Sequence, residues 1–226
     1  MPLIVASWNI EKNGKSSDPA KQQKVSEFIN LCCVELNVSI LFLCEVHSAQ
    51  IDNYVAFLSS VYGETYDVAS LPGGHSNAYV ILIQRDLKIK ISHDSLKGLN
   101  REGVFLQSGD ISIILAHFKS GQTGLTKDQL FQAASALQGG LSSGKWAITG
   151  DMNWDYANSA TLGLTFPTAA YTCWTDQTQA KGGILDWCLA SSTTAVLPLI
   201  FDLEVMPHEL FDMTGPDHKP VIFKIT

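Results

Sequence analysis

A carboxylate and a carboxamide two residues apart follow an apolar segment in the second half of the chain. Trp146–Thr149 is predicted to be a strand, Gly150 follows it, and Asp151 and Asn153 come next. Because residues i and i+2 of a strand share a face, we expect both polar side chains to point into one site. A carboxylate suits a cation or a proton, and an amide suits a phosphate oxygen. A polar turn after a strand would explain the same residues without a function.

Other predicted strands also end in residues that handle metal or phosphate, and one such pair precedes the last strand. These residues are Asn9, Glu45, His117, Asp186 and Asp217-His218. Each alone could be a cap, an exposed strand end or a hydrogen-bonded core residue. Together they favour a functional site, because α/β proteins build their sites from strand ends and loops at one edge of a sheet.

The residue types indicate a particular chemistry. Carboxylates such as Glu45 suit Mg²⁺, which keeps water ligands for a substrate phosphate. The chain has no thiolate or histidine spacing typical of zinc sites. A histidine beside an aspartate, as in Asp217-His218, supplies a base or a phosphate donor whose charge the carboxylate controls. The set predicts metal-assisted attack of water on a phosphate ester.

Hydrophobic patterning predicts the elements that must position these residues. Asp18 and Pro19 indicate the start of a first helix, Ser48 that of a second, and Thr126 that of a third, through a capping box with Gln129. Strands are predicted at Leu3–Ser7, Ile40–Cys44, Tyr66–Ala69, Ala78–Ile83, Leu87–Ile91, Gly103–Gln107, Ile111–Ala116, Trp146–Thr149, Ile184–Leu189 and Val221–Ile225.

The order of these elements predicts an α/β fold. Two strand-helix units open the chain and indicate parallel pairing with helices outside, a β-meander follows, and the strand-helix theme then returns. We expect two packed sheets in a single domain spanning residues 1–226, because no linker-like Pro/Ser run divides the 226 residues.

Composition restricts the class of protein. The net charge of −7 argues against a broad basic face for nucleic acid, although a local basic rim is compatible with it. The apolar runs are too short to span a membrane, and neither a membrane partner nor a signal peptide is expected. The five cysteines lie mostly in apolar surroundings and are predicted to be buried thiols. These features favour a cytoplasmic location, or export by a route that needs no cleaved leader; they do not predict an oligomeric state.

Six segments, in this order, resemble the endonuclease/exonuclease/phosphatase superfamily, which has the deoxyribonuclease I-like fold. The segments are Ser7–Ile10, Leu43–Val46, Ala116–Ser120, Thr149–Asn153, Ile184–Trp187 and Gly215–Val221. The resemblance implies a four-layered sandwich in which two mixed β-sheets pack face to face with helices outside. It also implies a site at the top of that sandwich.

The resemblance also implies roles for individual residues. Glu45 would bind Mg²⁺, with Mn²⁺ as an alternative, and Asn9 and Asp217 would act as further ligands, directly or through water. His218, oriented by Asp217, would contact the phosphate or take a proton.

For the remaining site residues, the resemblance implies that Asp151 positions or deprotonates the attacking water and that Asn153 holds the phosphate. His117 would stabilise phosphoryl charge, and Asp186 would orient a histidine or assist the leaving group. The identity of the general base stays open. The deoxyribonuclease branch has a glutamate that partners the first histidine; here the corresponding position falls near Asn77 or Ala78, so that partner is expected to be absent and His117 to be less well oriented.

The substrate class is a further hypothesis. The segment His117–Ser120, with Arg101 upstream, resembles the nuclease branches of the family more than the lipid ones. Lys119 and Arg101 could pair with a phosphate backbone. Trp154 and Trp174 could stack on bases. The same residues could be surface charges and packed rings. We therefore expect a Mg²⁺-dependent nuclease that binds DNA or RNA. The alternatives are a phosphatase or phosphodiesterase for small or lipid phosphate esters, and a non-catalytic binding module of the same fold.

Overall fold

The computed structural model describes residues 1–13, 18–74, 76–92, 103–142, 144–199 and 211–226, and its strands form two six-stranded sheets. With strands numbered in chain order, the first sheet contains β1 (Leu3–Asn13), β2 (Ile40–His47), β3 (Tyr66–Pro72), β4 (Asn77–Gln84), β11 (Val196–Pro198) and β12 (Val221–Ile225). The second contains β5 (Lys90–Ser92), β6 (Val104–Ser108), β7 (Ile111–His117), β8 (Lys145–Asp151), β9 (Thr168–Tyr171) and β10 (Asp186–Ser191).

Both sheets are mixed and share one plan. The strand orders are β11-β12-β1-β2-β4-β3 and β5-β6-β7-β8-β10-β9. The central pairs β1/β2 and β7/β8 are parallel, and the other pairings are antiparallel. Each parallel pair is joined through a helix, which places the carboxyl ends of its two strands at the same edge. The predicted α/β fold with two mixed sheets and flanking helices is confirmed.

The helices are α1 (Pro19–Asn30), α2 (Ile51–Tyr62) and α3 (Thr123–Ala136). Asp18 caps α1 as predicted, since its side chain accepts a hydrogen bond of 2.7 Å from the Ala20 N–H. A 3₁₀ turn at Ser48–Gln50 leads into α2. Among the described residues, no helix is long and apolar enough to cross a membrane.

The predicted capping box of α3 is wrong. The helix begins at Thr123, one turn earlier than expected, so Thr126 and Gln129 lie inside it. Thr126 Oγ1 instead donates to the Lys119 carbonyl, and Gln129 Oε1 accepts a 2.9 Å hydrogen bond from the Lys119 N–H. Both side chains therefore stabilise the loop between β7 and α3 through hydrogen bonds to its backbone.

Strand boundaries also differ from the predictions. β1 runs on to Asn13, well past Ser7, and the short strands β9 and β11 were not predicted. The intermediate burial of β9 along its whole length removes the alternating pattern that normally reveals a strand.

Apolar side chains from both sheets form the core, and a second cluster lies under α3. The sheets approach closely at Gly150, the residue before Asp151. A Cβ at Gly150 would lie 2.3 Å from the Ala116 carbonyl oxygen and 3.2 Å from Ser7 Oγ of the other sheet. This glycine therefore permits close strand packing directly beneath the predicted site.

Candidate active site

The predicted strand-end residues converge where the two sheets meet. His117 ends β7 opposite Asp151, which ends β8, and Asp151 in turn pairs with Asp186 at the start of β10. Asn9 approaches from β1 and Glu45 from β2 of the other sheet. The strand register therefore places His117, Asp151 and Asp186 side by side on the second sheet. Asn9 and Glu45 of the first sheet lie opposite them.

Asp151 lies at the centre of this cluster. Its Oδ2 accepts a hydrogen bond of 2.9 Å from Asn9 Nδ2 and lies 3.8 Å from His117 Nε2 and 3.9 Å from His218 Nε2. Its Oδ1 accepts a hydrogen bond of 2.9 Å from the Asn153 N–H. The Asp151 carboxylate is buried, and four nitrogen atoms lie within 4 Å of its oxygens. It can therefore orient a nucleophile between two imidazoles.

Glu45 occupies an irregular position in β2. Its φ is +59°, and the register between β2 and β4 shifts between Leu43 and Val46. Bulges of this kind commonly redirect a side chain next to a site. Here the bulge brings Glu45 Oε1 to 3.2 Å from His117 Nε2.

His117 is better held than the sequence suggested. The carboxylate expected to be missing near Asn77 is supplied from elsewhere, since Glu45 contacts the imidazole. The Tyr79 ring also meets the imidazole edge-on, with ring centres 6.0 Å apart. The expectation of a poorly oriented His117 is therefore wrong, because a residue from a different strand supplies the carboxylate.

His218 and Asp186 form a buried pair. His218 Nδ1 lies 2.8 Å from Asp186 Oδ2, and the Trp8 indole N–H donates a hydrogen bond of 2.8 Å to the His218 carbonyl. Thr178 Oγ1 accepts a hydrogen bond of 3.0 Å from the Asp186 N–H. Both residues are thus also anchored through their backbones. The expectation that Asp217 orients His218 is wrong in its geometry, because Asp186 makes the close contact with the ring and Asp217 lies 4.0 Å away.

The charges of this pair follow from its surroundings. Burial opposes protonation of His218, but the carboxylates of Asp186, Asp151 and Asp217 outweigh burial and raise the pKa of His218 to about 10. Burial raises the pKa of Asp186 to about 6, although the His218 cation acts against it. At neutral pH the pair is therefore an imidazolium beside a carboxylate, which presents a positive N–H toward Asp151.

Asp217 lies beside this pair. Its Oδ1 is 4.0 Å from His218 Nε2, and its Oδ2 accepts a hydrogen bond of 3.0 Å from Gln179 Nε2. Sequence reasoning missed Gln179 and Thr178, which lie in a segment without periodicity and reach the site only through the tertiary fold. The role of Trp8 in holding His218 was also not predicted, although Trp8 directly precedes Asn9 in the segment Ser7–Ile10.

Asn153 adopts a left-handed conformation, with φ of +47°. Its Nδ2 donates a hydrogen bond of 2.9 Å to the Phe118 carbonyl, and its N–H binds Asp151. The side-chain amide of Asn153 thus links the segment after β8 to the segment after β7. Together the two hydrogen bonds fix the position of Asn153 at the site.

The four predicted substrate-binding residues have different surroundings. Lys119 is half-buried and follows Phe118, so its backbone borders the site. Trp154 and Trp174 are only 8% and 6% exposed, which leaves little ring surface for a base. Trp174 instead packs under Lys219, whose ammonium lies 4.6 Å from the ring centre. Arg101 lies outside the described residues.

One group of three ligand atoms and two further carboxylates bear on a metal. Asp151, Asp186 and His218 each offer one ligand atom, and these atoms lie within 4.8 Å of one another. His218 is already paired with Asp186, and a nitrogen donor suits Mg²⁺ poorly. The side chains of Glu45 and Asp217 are 18% and 28% exposed and end in carboxylate oxygens, so they fit a hard cation that keeps water ligands.

Comparisons with known proteins agree with this geometry. The sequence model described as "Endonuclease/Exonuclease/phosphatase family" matches residues 6–202. None of the curated proteins compared with the chain matches it.

Three solved structures are similar over essentially the whole chain. TDP2 from D. rerio in complex with single strand DNA product is 14% identical, with a TM-score of 0.68 and coverage of 100% of this chain and 99% of that one. The human Nocturnin catalytic domain with bound sulfate is 15% identical, with a TM-score of 0.63 and coverage of 100% and 94%. An endonuclease/exonuclease/phosphatase from Bacteroides vulgatus is 12% identical, with a TM-score of 0.68 and coverage of 100% and 99%. At these identities the likeness establishes the fold.

Proposed function

This chain belongs to the endonuclease/exonuclease/phosphatase family, and we propose that it is a divalent-metal-dependent phosphodiesterase that cleaves nucleic acid. The observation that carries the proposal is the Asp151 carboxylate between two histidines, with His117 Nε2 at 3.8 Å and His218 Nε2 at 3.9 Å. A structural metal site or a binding module has no need for a buried carboxylate with this arrangement of proton donors and acceptors.

The metal in this proposal is Mg²⁺, with Mn²⁺ as a substitute. Glu45 and Asp217 would hold it, with the Asn9 side-chain oxygen as a further donor that now accepts a 3.0 Å hydrogen bond from the Glu11 N–H. A bound divalent cation would neutralise phosphate charge as a Lewis acid.

The protein groups have separate parts in the proposed reaction. Asp151 orients the attacking water and accepts its proton, because its carboxylate is fixed from both sides by Asn9 and Asn153. The His218 imidazolium, held by Asp186, donates hydrogen bonds to the phosphoryl oxygens as their charge develops. His117 supports the same oxygens from the opposite side, and Glu45 fixes its ring.

Two observations favour nucleic acid as the substrate. Lys119 borders the site at the end of β7, where a phosphate backbone would pass. A structural neighbour binds single strand DNA product. Esters of small alcohols or lipids remain the competing substrate class, and they differ in releasing inorganic phosphate or a headgroup without shortening a polynucleotide.

A substrate panel tests the proposal. The purified protein is incubated with Mg²⁺ or with EDTA, and with supercoiled plasmid, a labelled single-stranded DNA, the matching RNA, and phosphomonoesters. We expect metal-dependent shortening of at least one polynucleotide and little release of inorganic phosphate. Release of phosphate with intact polynucleotides would contradict the nuclease assignment and select the phosphatase alternative.

A further inference from the structure

A cavity of about 350 Å³ lies next to the end of β1, with walls from β1, α1 and α2. Its lining includes four carboxamide side chains and two aromatic rings. They belong to Asn13, Gln22, Gln50, Asn53, Tyr54 and Phe57. Within the described parts of the chain, none of the lining residues carries a charge at neutral pH. The cavity therefore suits an uncharged ligand that has hydrogen-bonding edges.

A buried oxygen of Asn13 without a hydrogen-bond partner is the first indication that the cavity binds a ligand. Its side chain is 3% exposed, and its Oδ1 has no hydrogen-bond partner within the described structure. Buried acceptors of this kind are rare because their desolvation is uncompensated. A ligand N–H in the cavity would supply the missing donor.

Phe57 provides the second sign. Its side chain is 55% exposed, whereas most large apolar side chains among the described residues are buried. A planar ligand could cover this ring by stacking while its edge meets the carboxamides. Paired donors and acceptors of Asn and Gln match the edge of a nucleobase, adenine in particular.

The cavity lies near the proposed active site along two strands. Asn9 pairs with Cys44 of β2, and Asn13 pairs with Val46, the residue after Glu45. Because a bulge in β1 makes this four-residue step oppose only two residues of β2, the two asparagines lie about 7 Å apart along the strands. Gln50 and Asn53 follow β2 directly. A chain whose phosphate lies at Asp151 could therefore reach the cavity within a few nucleotides.

We propose that this cavity binds a nucleobase, either one carried by the nucleic acid substrate or the base of a free nucleoside. As a substrate subsite it rests on the proposed function; as a nucleoside site it does not. Asn13 Oδ1 accepts a hydrogen bond from the base, the other carboxamides contact its remaining edge, and Phe57 stacks on its face.

The first experiment measures binding of adenosine, cytidine, guanosine, uridine and ribose by saturation-transfer difference NMR. The proteins are the wild type, Phe57→Ala, Gln50→Ala, and Phe131→Ala, which removes an exposed phenylalanine of α3 as the matched control. Adenosine should bind the wild type and the control equally, and Phe57→Ala should weaken binding about tenfold. Gln50→Ala should weaken it less, and ribose should not bind.

The second experiment measures kcat and KM for a single-stranded oligonucleotide with the same variants. Phe57→Ala should raise KM about tenfold and leave kcat unchanged, because the ring binds the substrate away from the reacting phosphate. Nucleoside binding by a protein that cleaves no polynucleotide would reject the proposed function but retain the site. Equal nucleoside affinity and equal KM for wild type and Phe57→Ala, or binding of ribose as tight as adenosine, would overturn the inference.

Discussion

Asn9 Nδ2 donates a hydrogen bond of 2.9 Å to Asp151 Oδ2, and this bond runs from one β-sheet to the other. The carboxylate that we assign to the attacking water is therefore positioned by the packing of the two sheets. The same region contains Gly150, where an added Cβ would lie 3.2 Å from Ser7 Oγ of the other sheet and 2.3 Å from the Ala116 carbonyl oxygen of the neighbouring strand in its own sheet. Stability of the sandwich and geometry of the site are thus coupled in this protein.

Gly150→Ala tests this coupling. Gly150 has φ of +130°, and an added Cβ would lie 2.3 Å from the Ala116 carbonyl oxygen. We expect the free energy of unfolding to fall by roughly 3 kcal/mol or more, through strain and a backbone clash. Urea unfolding followed by circular dichroism measures the change.

Gly139→Ala is the matched control for that change, since no atom lies within 4 Å of its added Cβ. It should alter the free energy of unfolding by less than about 1 kcal/mol. Equal stability of the Gly150 and Gly139 variants would show that the close approach of the strands is unimportant.

The pair of His218 and Asp186 should act as one unit. His218→Ala is expected to lower kcat by about 100-fold or more, since the imidazolium that faces Asp151 is lost. Asp186→Asn should lower it by about tenfold or more, because the ring loses its 2.8 Å partner. The double variant should be no slower than His218→Ala alone.

A double-mutant cycle of kcat measures this dependence, with Asp67→Asn as an exposed-carboxylate control. Multiplicative losses in the double variant would mean that Asp186 acts independently of His218. Circular dichroism spectra of all variants establish that they are folded.

Gln179 should act on the metal through Asp217. Its Nε2 donates a 3.0 Å hydrogen bond to Asp217 Oδ2, which orients the carboxylate. Gln179→Ala should raise the Mg²⁺ concentration for half-maximal activity about tenfold. The control is Gln84→Ala, whose amide hydrogen-bonds Asn37 on the surface. An unchanged metal requirement for Gln179→Ala would remove Asp217 from the proposed ligand set.

The thiols should be unreactive in the folded protein. All five cysteines are buried thiols. Burial raises the pKa of Cys32 and Cys188 well above the ordinary thiol value, and raises the pKa of Cys33 and Cys173 to about 12. Because the thiolate is the reactive form, a higher pKa means slower reaction at pH 8. A disulfide exchange reagent should label all five thiols in guanidinium and almost none in buffer; rapid native labelling would contradict this burial.

Much of the site was predictable because its residues lie at or near the ends of strands. His117 and Asp151 end β7 and β8, Asp186 begins β10, and Asn9 and Glu45 lie in the last part of β1 and β2. Strand patterning is a local property of the sequence, so these positions could be found from it. The parallel pairing of β1 with β2 likewise follows from the strand-helix-strand order.

Other features depend on contacts that no local pattern encodes. Gln179 reaches Asp217 across 38 residues, and Glu45 contacts His117 because a bulge redirects it. The start of α3 was misjudged because Thr126 and Gln129 match a capping signature while their side chains bind Lys119 instead. Burial of Trp154 and Trp174 likewise follows from tertiary packing.

The central claim is metal-dependent cleavage of a phosphodiester by the Asp151 cluster, and hydrolysis of bis(p-nitrophenyl) phosphate tests it without knowledge of the natural substrate. Rates are measured in Mg²⁺ and in EDTA for the wild type, Glu45→Gln, Asp151→Asn and the exposed control Asp110→Asn. We predict activity in Mg²⁺ for the wild type and the control, none in EDTA, and losses of at least about 100-fold for the two site variants. Full activity of Asp151→Asn, or a wild-type rate unaffected by EDTA, would contradict the account.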